Sequence, residues 1–366
     1  MDDARVQELF TPLTVGSLTV PNRFAMAPMT RTASPDGVPG PDVAAYYGRR
    51  AAGGTGLIIT EGVRIPHPAA GWPDRIPNLD GDAVLAGWRA VTEAVHTHGG
   101  TIAAQLWHQG VARGVRDGDR PEQTPVSPSG IDLAGDPLGR ALRTDELPGL
   151  AQAYALAATN AKAVGFDAVE IHGAHGYLLA QFLSPISNKR NDQYGGDRAG
   201  RMRFPLAAAK AVRESWPEHK PMFIRVSAVD GAGGWEVEDT VAFAQALKAL
   251  GVDVIDVSSG GLTGLSTALP VKRSLGFQVP FSAAVKRQAG ISTMAVGLIL
   301  DGPQAEAILQ AGDADLIAIG RQALYDPFWA VHAAQELGCD GGFEMWTPEY
   351  GWWLDKRKNN LVGLKK

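Results

Sequence analysis

The chain has 366 residues, a formal net charge of −5 at pH 7, and 45% hydrophobic and 20% charged residues. This is the composition of an ordinary globular protein, and a length above the usual single-domain size is common in α/β barrels. The acidic balance excludes the broad basic surface that nucleic-acid binding requires, so we expect no nucleic-acid partner.

The N-terminus and the cysteine content indicate the cellular compartment. The first ten residues, MDDARVQELF, carry acidic residues where a signal peptide needs positive charge, and no apolar run approaches the length of a membrane span. Cys339 is the only cysteine, which excludes an internal disulfide and a cysteine-ligated iron–sulfur cluster within this chain. We expect a soluble, cytoplasmic protein that has no membrane partner.

Eight short apolar runs recur along the chain, and each ends in a polar or glycine residue. This pattern is typical of strands that are buried on both faces of a parallel sheet. Before the first of these runs, residues 13–20 predict a small hairpin that turns at Gly16 and Ser17. The predicted strands are residues 23–29, 56–60, 101–106, 168–172, 222–227, 254–258, 293–297 and 316–320.

Helix-like segments alternate with these strands, and several begin with an Asp or a Pro near the first turn. Eight strands alternating with eight helices predict the α/β class and a closed (β/α)8 TIM barrel. A doubly wound open sheet is the alternative, but no strand is followed by a GxGxxG motif that opens a helix. The predicted helices are residues 42–52, 82–98, 145–164, 199–215, 237–250, 281–289, 303–311 and 326–337.

Two stretches stand outside this alternation. Residues 107–144, after the third strand, are long and rich in Gly, Pro and Asp, and they predict a lid over the mouth of the barrel. Residues 347–366 form a C-terminal tail that carries Tyr350, Trp352 and Trp353. No linker divides the chain, so we predict a single domain over residues 1–366.

The chemistry is densest in residues 169–196, VEIHGAHGYLLAQFLSPISNKRNDQYGG. A buried strand stops there in His172, His175 and Tyr177, which places three proton-handling groups on one turn. The HxxH spacing supports a zinc pair only weakly because a zinc site needs a third protein ligand, and a purely structural loop is a further alternative. We favour a proton-donating organic site and expect no metal.

The active site of such a barrel lies at the C-terminal ends of its strands. These ends carry hydrogen-bond donors and a buried cation, with neither a nucleophile elbow nor paired carboxylates, so they do not predict a hydrolase. Glycines follow strands seven and eight, where barrel enzymes bind a phosphate through backbone N–H groups, and FMN fits this set best. The residues at the ends are Pro28, Met29, Thr30, Glu61, Gly62, Gln105, His172, His175, Tyr177, Arg225, Ser258, Ser259, Gly260, Gly261, Gly297, Gly320 and Arg321.

With these residues in place, the chain resembles the Old Yellow Enzyme family of NADH:flavin oxidoreductases, the flavin-dependent ene-reductases, over about residues 9–328. The central block is the most specific part of the resemblance, and the shared order and spacing of the other motifs add to it. Those motifs are APMTR at 27–31, GLIITE at 56–61, AQLWH at 104–108, IRVS at 224–227, AVG at 295–297 and IGR at 319–321.

The resemblance implies a set of contacts to the flavin ring. Pro28 and Met29 would pack against it, and the Thr30 hydroxyl would bond its C4 carbonyl. Gln105 would bond the pyrimidine edge, and Arg225 would lie beside N1 and the C2 carbonyl, where it stabilises the reduced form. A structural ion pair is the alternative for Arg225.

The resemblance also implies the surroundings of the ring and the phosphate. Gly62 would let the ring approach the backbone, although a plain turn glycine is the alternative. Three residues after strands seven and eight would hold the phosphate, with two loop residues nearby. They are Gly297, Gly320 and Arg321, with Ser259 and Gly260.

The implied reaction is the reduction of an activated alkene. NAD(P)H would reduce the flavin, and N5 would deliver hydride to the β-carbon of an α,β-unsaturated carbonyl compound whose oxygen His172 and His175 hold. Tyr177 would give a proton to the α-carbon. Thr32 and Tyr350 are also predicted to bind substrate. The tail aromatics would either reach the site of a neighbouring subunit in a homo-oligomer (a dimer or tetramer) or pack in the ordinary way.

Two other functions remain as alternatives. A flavin barrel that acts mainly on nitro compounds or nitrate esters would not need Tyr177 for hydride transfer. A non-catalytic barrel that binds a phosphorylated ligand would keep Gly297, Gly320 and Arg321 but would have no use for the two histidines and the tyrosine together.

Overall fold

The computed structural model describes residues 7–72, 75–132, 135–261 and 272–362. Near its N-terminus β1 (Leu13–Val15) and β2 (Leu18–Val20) pair antiparallel, with Leu13 opposite Val20. Gly16 takes φ = 58° at the turn, a left-handed conformation that glycine adopts without a Cβ clash. The predicted hairpin is confirmed.

Eight parallel strands among the described residues close into a barrel, which confirms the predicted fold. The ring closes where the last strand pairs with the first, with Ile317 beside Phe24. A register shift between Ile59 and Gly62 marks a bulge in the second barrel strand, which is longer than predicted. The barrel strands are β3 (Phe24–Met26), β4 (Leu57–Arg64), β5 (Thr101–Trp107), β8 (Ala168–Gly173), β9 (Met222–Ser227), β10 (Val254–Ser258), β11 (Ser292–Val296) and β12 (Leu316–Ile319), with the short strands β6 (Val126–Ser127) and β7 (Arg140–Ala141) between β5 and β8.

The helices surround this barrel and begin at local signals. The side chain of Asp197 accepts a hydrogen bond from the Gly200 N–H at the start of one helix, and Asp301 accepts one from Gln304 at another. The helices are α1 (Pro41–Ala52), α2 (Asp82–His96), α3 (Leu147–Ala163), α4 (Leu178–Leu183), α5 (Arg198–Ser215), α6 (Val237–Ala249), α7 (Val279–Ala289), α8 (Gly302–Gln310), α9 (Arg321–Tyr325), α10 (Trp329–Glu336) and α11 (Pro348–Leu361).

Three of these helices differ from the expected set. The whole of α4 is buried, so its sequence LLAQFL lacks the polar face from which a helical period is read. The five-residue α9 is too short to show a period, and α11 lies in the predicted tail. Residues 363–366 of that tail lie outside the described residues.

The inside of the barrel is layered. Its lower layer is apolar and includes Ala103, Ala168, Phe223 and Val254, against which the hairpin packs Val15 and Val20. Because side chains two apart on a strand share a face, the next inward position on each of these four strands is polar. Those positions hold Gln105, Glu170, Arg225 and Asp256, so a polar layer separates the apolar base from the C-terminal mouth.

The 107–144 segment is tied to the loop that follows α4. Within it β6 and β7 pair in parallel, with Val126 beside Arg140. The Arg190 guanidinium donates to the carbonyls of Pro128 and Leu142. Residues 133–134 of this segment are not described. No helix in the described ranges is long and apolar enough to cross a membrane.

Candidate active site

A cavity of about 540 Å³ opens at the C-terminal ends of the barrel strands. This volume lies in the usual range for small-molecule and cofactor pockets. Most of the predicted site residues converge on it although they come from all parts of the chain. Those that line it are Pro28, Met29, Thr30, Gln105, His172, His175, Tyr177, Arg225, Gly297, Gly320 and Arg321.

His172 is buried and held by its own turn. The Ala174 N–H donates to His172 Nδ1 at 3.3 Å, which leaves Nε2 as the N–H donor of the neutral ring. The ring of Tyr177 stands edge-on to that of His172, with centroids 4.9 Å apart. The strand end and the start of α4 therefore place both groups at one point of the cavity wall.

His175 has an unusual backbone for a side chain with a Cβ, since its φ is 59°. Its N–H donates to Ser227 Oγ at 2.9 Å, and that hydroxyl donates to the Gly260 carbonyl at 2.7 Å. A Cβ at Gly261 would lie 2.2 Å from His175 Cα, so only glycine fits there. The ring nitrogen Nε2 of His175 lies 2.7 Å from Ser258 Oγ. These contacts hold the His175 imidazole in place although the left-handed backbone conformation of His175 is unfavourable for a residue with a Cβ.

Burial controls the protonation of this group. It lowers the pKa of His172 well below 6.5, with His175 and Arg225 acting in the same direction, and it lowers the pKa of His175 with Arg225 as the further cause. Burial also raises the pKa of Tyr177. At neutral pH the site therefore presents two uncharged imidazoles and a protonated phenol.

Gln105 and Arg225 reach the cavity from the polar layer. Gln105 Nε2 donates to Glu170 Oε1 at 2.8 Å, and Arg225 Nη1 donates to Asp256 Oδ2 at 2.7 Å. Arg225 thus has the structural ion pair that the sequence left open, and it lines the cavity as well. Glu170 and Asp256 lie in the same layer as Gln105 and Arg225 and were not among the predicted site residues.

Glycines open the other side of the barrel mouth. Gly297 has φ = 122°, and a Cβ there would lie 2.8 Å from Gln278 Nε2. A Cβ at Gly320 would meet nothing nearer than Met29 Sδ at 3.7 Å, so its absence leaves free space. Arg321 follows directly and also lines the cavity.

Five predicted residues do not line the cavity. A Cβ at Gly62 would lie 2.5 Å from the Trp107 ring, so this glycine makes room for an indole. The Ser259 hydroxyl donates to Gln278 Oε1 at 2.6 Å, and Gly260 accepts the bond from Ser227. The flavin contacts of these three stay predictions.

The predicted substrate contacts Thr32 and Tyr350 are also placed elsewhere. Thr32 is exposed, and its hydroxyl donates to the Arg31 carbonyl at 2.6 Å. Tyr350 lies on α11 and is 61% exposed. Neither lines the cavity of this chain, and their role in binding substrate stays a prediction.

Several cavity residues were not predicted as site residues, among them Trp107, Phe277 and Gln278. Trp107 ends β5, so its position at a strand end was a usable signal. Its ring stands edge-on to Tyr177 at 4.9 Å, and its Nε1 is buried with no hydrogen-bond partner among the described residues. Phe277 and Gln278 precede α7 and follow no strand end, so no such signal marked them.

The donors around the cavity fit FMN. Arg225 Nε is buried without a partner in the described part of the chain, so a bound acceptor would satisfy it. Gln105 and Arg225 stand on β5 and β9, whereas Gly297 and Gly320 follow β11 and β12 on the other side of the ring. A polar ring edge and a phosphate therefore each find suitable groups.

Comparisons with known proteins agree with this site. The family described as NADH:flavin oxidoreductase / NADH oxidase matches residues 8–339. An NADPH dehydrogenase of Bacillus licheniformis is 40% identical over 337 residues, which cover 90% of this chain and 95% of that protein.

Two solved structures also resemble this chain in sequence and fold. Morphinone reductase in complex with tetrahydroNAD is 35% identical, with a TM-score of 0.75 and 90% of each chain covered. The Old Yellow Enzyme homologue of Zymomonas mobilis is 31% identical with a TM-score of 0.74, covering 87% of this chain and 90% of that one.

These matches cover the barrel and the residues that line its cavity. They confirm the cofactor prediction, since proteins of this group use FMN with NAD(P)H as reductant. The chain is therefore an oxidoreductase that belongs to the NADH:flavin oxidoreductase / NADH oxidase family, the Old Yellow Enzyme family.

Proposed function

We propose that this flavin oxidoreductase is an ene-reductase of α,β-unsaturated carbonyl compounds and related activated alkenes. The observation that supports this most is the convergence of His172, His175 and Tyr177 on the FMN cavity. A carbonyl oxygen needs two donors, and the α-carbon of the same substrate needs a proton source. One turn of the chain supplies all three groups.

The two histidines bind and polarise the substrate. His172 donates to the carbonyl oxygen through Nε2–H, because its Nδ1 already accepts a hydrogen bond from the Ala174 N–H. Both rings are neutral, and with the Ser258 hydroxyl donating to His175 Nε2 at 2.7 Å, the donor of His175 to the oxygen is Nδ1–H. Hydrogen bonds from neutral rings do not protonate the oxygen, and they strengthen as negative charge grows on it. Polarisation by the two histidines leaves the β-carbon electron-poor, and FMN, when bound and reduced, would supply the hydride.

Tyr177 completes the addition across the double bond. Its raised pKa keeps the phenol protonated at neutral pH, as a proton donor must be. Trp107 and His172 each stand edge-on to its ring at 4.9 Å, which limits the rotation of the phenol. The phenol oxygen is therefore held in one place, from which its proton would reach the α-carbon.

The test is the substitution Tyr177→Phe followed in separate half-reactions by stopped-flow absorbance. We expect oxidation of the reduced enzyme by cyclohexenone to slow by about 10²–10⁴-fold, the usual contribution of a general acid. Flavin reduction by NADPH should remain within about twofold, because no proton from Tyr177 is needed in that step.

A nitro compound serves as the matched control substrate, since its reduction by hydride does not require the phenol. Tyr177→Phe should leave its turnover largely unchanged. Equal loss of rate in both half-reactions would show that Tyr177 is not the proton donor. Rapid turnover of nitro compounds with no turnover of enones by the unaltered enzyme would replace the proposed function with nitro reduction.

A further inference from the structure

The polar layer under the cavity contains two acidic side chains that the proposed reaction does not use. Glu170 and Asp256 are both 0% exposed, and they stand on β8 and β10, either side of the strand that carries Arg225. Two ionised carboxylates without solvent would repel each other strongly at this depth. The hydrogen bonds of the two carboxyl groups show how the polar layer avoids this repulsion.

Each carboxyl group has one oxygen bonded and one oxygen left over. Glu170 Oε1 accepts from Gln105 Nε2 at 2.8 Å, and Asp256 Oδ2 accepts from Arg225 Nη1 at 2.7 Å. Glu170 Oε2 and Asp256 Oδ1 accept no bond from an N–H group or hydroxyl of the described residues. The two carboxyl groups lie within hydrogen-bonding reach of each other. A single proton on Glu170 would let one carboxyl group donate to the other.

Burial favours this arrangement. It raises the pKa of Glu170 well above its usual range, and the neighbouring Asp256 carboxylate raises it further. Asp256 is the better carboxylate of the two because the Arg225 guanidinium is bonded directly to it. The proton therefore belongs on Glu170.

We propose that Glu170 is a positioning residue, a neutral carboxylic acid that donates to Asp256, accepts from Gln105, and so joins the two side chains that face the pyrimidine edge of the flavin. The inference rests on the proposed contacts of Gln105 and Arg225 with that edge. It assigns a role to a strand-interior residue that does not itself reach the cavity.

Two consequences follow for the flavin. The amide of Gln105 is held with Nε2 toward Glu170, so Oε1 is its free atom and acts as an acceptor on the cavity side. The charges of Arg225 and Asp256 balance, and a neutral Glu170 adds none. An ionised Glu170 would instead place net negative charge beneath the ring and oppose its reduction.

Infrared spectroscopy of the FMN-loaded protein tests the protonation directly. We expect a carboxylic-acid C=O band at pH 7.5 that is lost in Glu170→Gln. The matched control is Glu61→Gln, which removes a buried carboxylate that is ion-paired with Arg31 at 2.6 Å and should leave the band in place. If Glu170→Gln removes no acid band, Glu170 is ionised and the proposal is wrong.

Flavin binding and the flavin midpoint potential test the positioning. Glu170→Gln keeps an acceptor for Gln105 and a donor for Asp256, so we expect an unchanged potential and FMN affinity within about twofold of wild type. Glu170→Ala leaves both partners unsatisfied and should weaken FMN binding about tenfold or more.

A raised potential in Glu170→Gln would mean that a negative charge had been removed, which would overturn the proposal. If Glu170→Ala does not fold, Glu170→Gln alone decides. None of these readouts involves an alkene, so a failure of the proposed ene-reductase activity would leave them unaffected and would be recognised separately.

Discussion

Single side chains decide the shape of the cavity, and Gly62 is the clearest case. The sequence predicted that this glycine lets the flavin approach the backbone. In the structure the Trp107 indole occupies the space that a side chain at this position would need, since a Cβ would stand 2.5 Å from Trp107 Cε3. Trp107 in turn lines the cavity next to Tyr177. The absence of a Cβ at Gly62 thus sets the position of the Trp107 ring in the cavity wall beside Tyr177, the proposed proton donor.

The substitution Gly62→Ala should therefore displace the indole. We expect the free energy of unfolding to fall by about 1–3 kcal/mol, the usual cost of overpacking a filled interior, and the visible flavin spectrum to shift. Denaturant unfolding and absorbance measure the two effects.

Gly149→Ala is the control for this change. Gly149 lies exposed in α3, and a Cβ there would meet nothing within 4 Å. Replacing glycine by alanine in a helix should leave stability equal or raise it by about 0.4–1 kcal/mol. If Gly62→Ala behaved like the control, the indole would be free to move, and its placement would not depend on the glycine.

Charged side chains hold helices and loops to one another, and Arg190 is one of them. It follows α4 and bonds the carbonyls of Pro128 and Leu142 in the 107–144 segment. It also bonds Thr144 and Asp192, and its bond to Asp192 lowers the pKa of that carboxyl. The predicted role of the segment as a lid stays a prediction, because Trp107 is its one described residue that lines the cavity.

We expect Arg190→Ala to loosen the 107–144 segment without unfolding the barrel. Hydrogen bonds to a charged group contribute about 1.5–3 kcal/mol, so local opening should become about tenfold more frequent or more. Hydrogen exchange at the amides of Arg140 and Leu142, which pair with Pro125 and Ser127, measures this opening.

Arg203→Ala is the matched variant, since Arg203 is exposed and, among the described residues, makes one side-chain hydrogen bond, at 2.9 Å, to the Gln193 carbonyl. Exchange at the same two amides should stay at the wild-type rate in this variant. Unchanged exchange in Arg190→Ala would mean that backbone pairing alone holds the segment.

The folded barrel holds two histidines whose protonation it disfavours, His67 and His108. His108 Nε2 lies 3.0 Å from His67 Nδ1, and the Gly110 N–H donates to His108 Nδ1 at 3.0 Å, so the pair joins β5 to the loop after β4 as neutral rings. Burial and, to a smaller extent, the Arg140 charge lower the pKa of His67 to about 4, and Glu146 opposes them. Burial also lowers the pKa of His108 well below 6.5.

These shifts make folding sensitive to acid. Between pH 6.5 and about 4 the unfolded chain binds a proton at residue 67 that the folded chain does not bind. The free energy of unfolding therefore falls as the pH falls, by about 1.4 kcal/mol per pH unit for each such histidine. Denaturant unfolding at pH 7.5 and at pH 5 measures the change.

His67→Asn isolates one of these groups, because an asparagine carbonyl still accepts the bond from His108 and does not titrate. We expect its stability to change less between pH 7.5 and 5 than that of the wild type. Groups whose pKa is raised by folding, such as Glu170, act in the opposite direction but are common to both proteins. An identical pH dependence would show that His67 titrates normally in the folded state.

The sequence by itself determined the barrel and the kind of residue at each strand end. Both are local properties: a strand buried on two faces is apolar throughout, and the C-terminal end of each barrel strand faces the same mouth. That is why the alternation of strands and helices predicted the barrel, whereas the family was predicted from the resemblance that the motifs at the strand ends carry.

Only the tertiary structure decided which side chains meet inside the ring. Gln105 and Glu170 are 65 residues apart in the chain and hydrogen-bonded in the barrel, and Arg225 and Asp256 are 31 apart. No local pattern records such pairs, because they depend on strand register across the sheet. The indole beside Gly62 and the interaction between Glu170 and Asp256 depend on that register, because packing and desolvation act between residues that are distant in the chain.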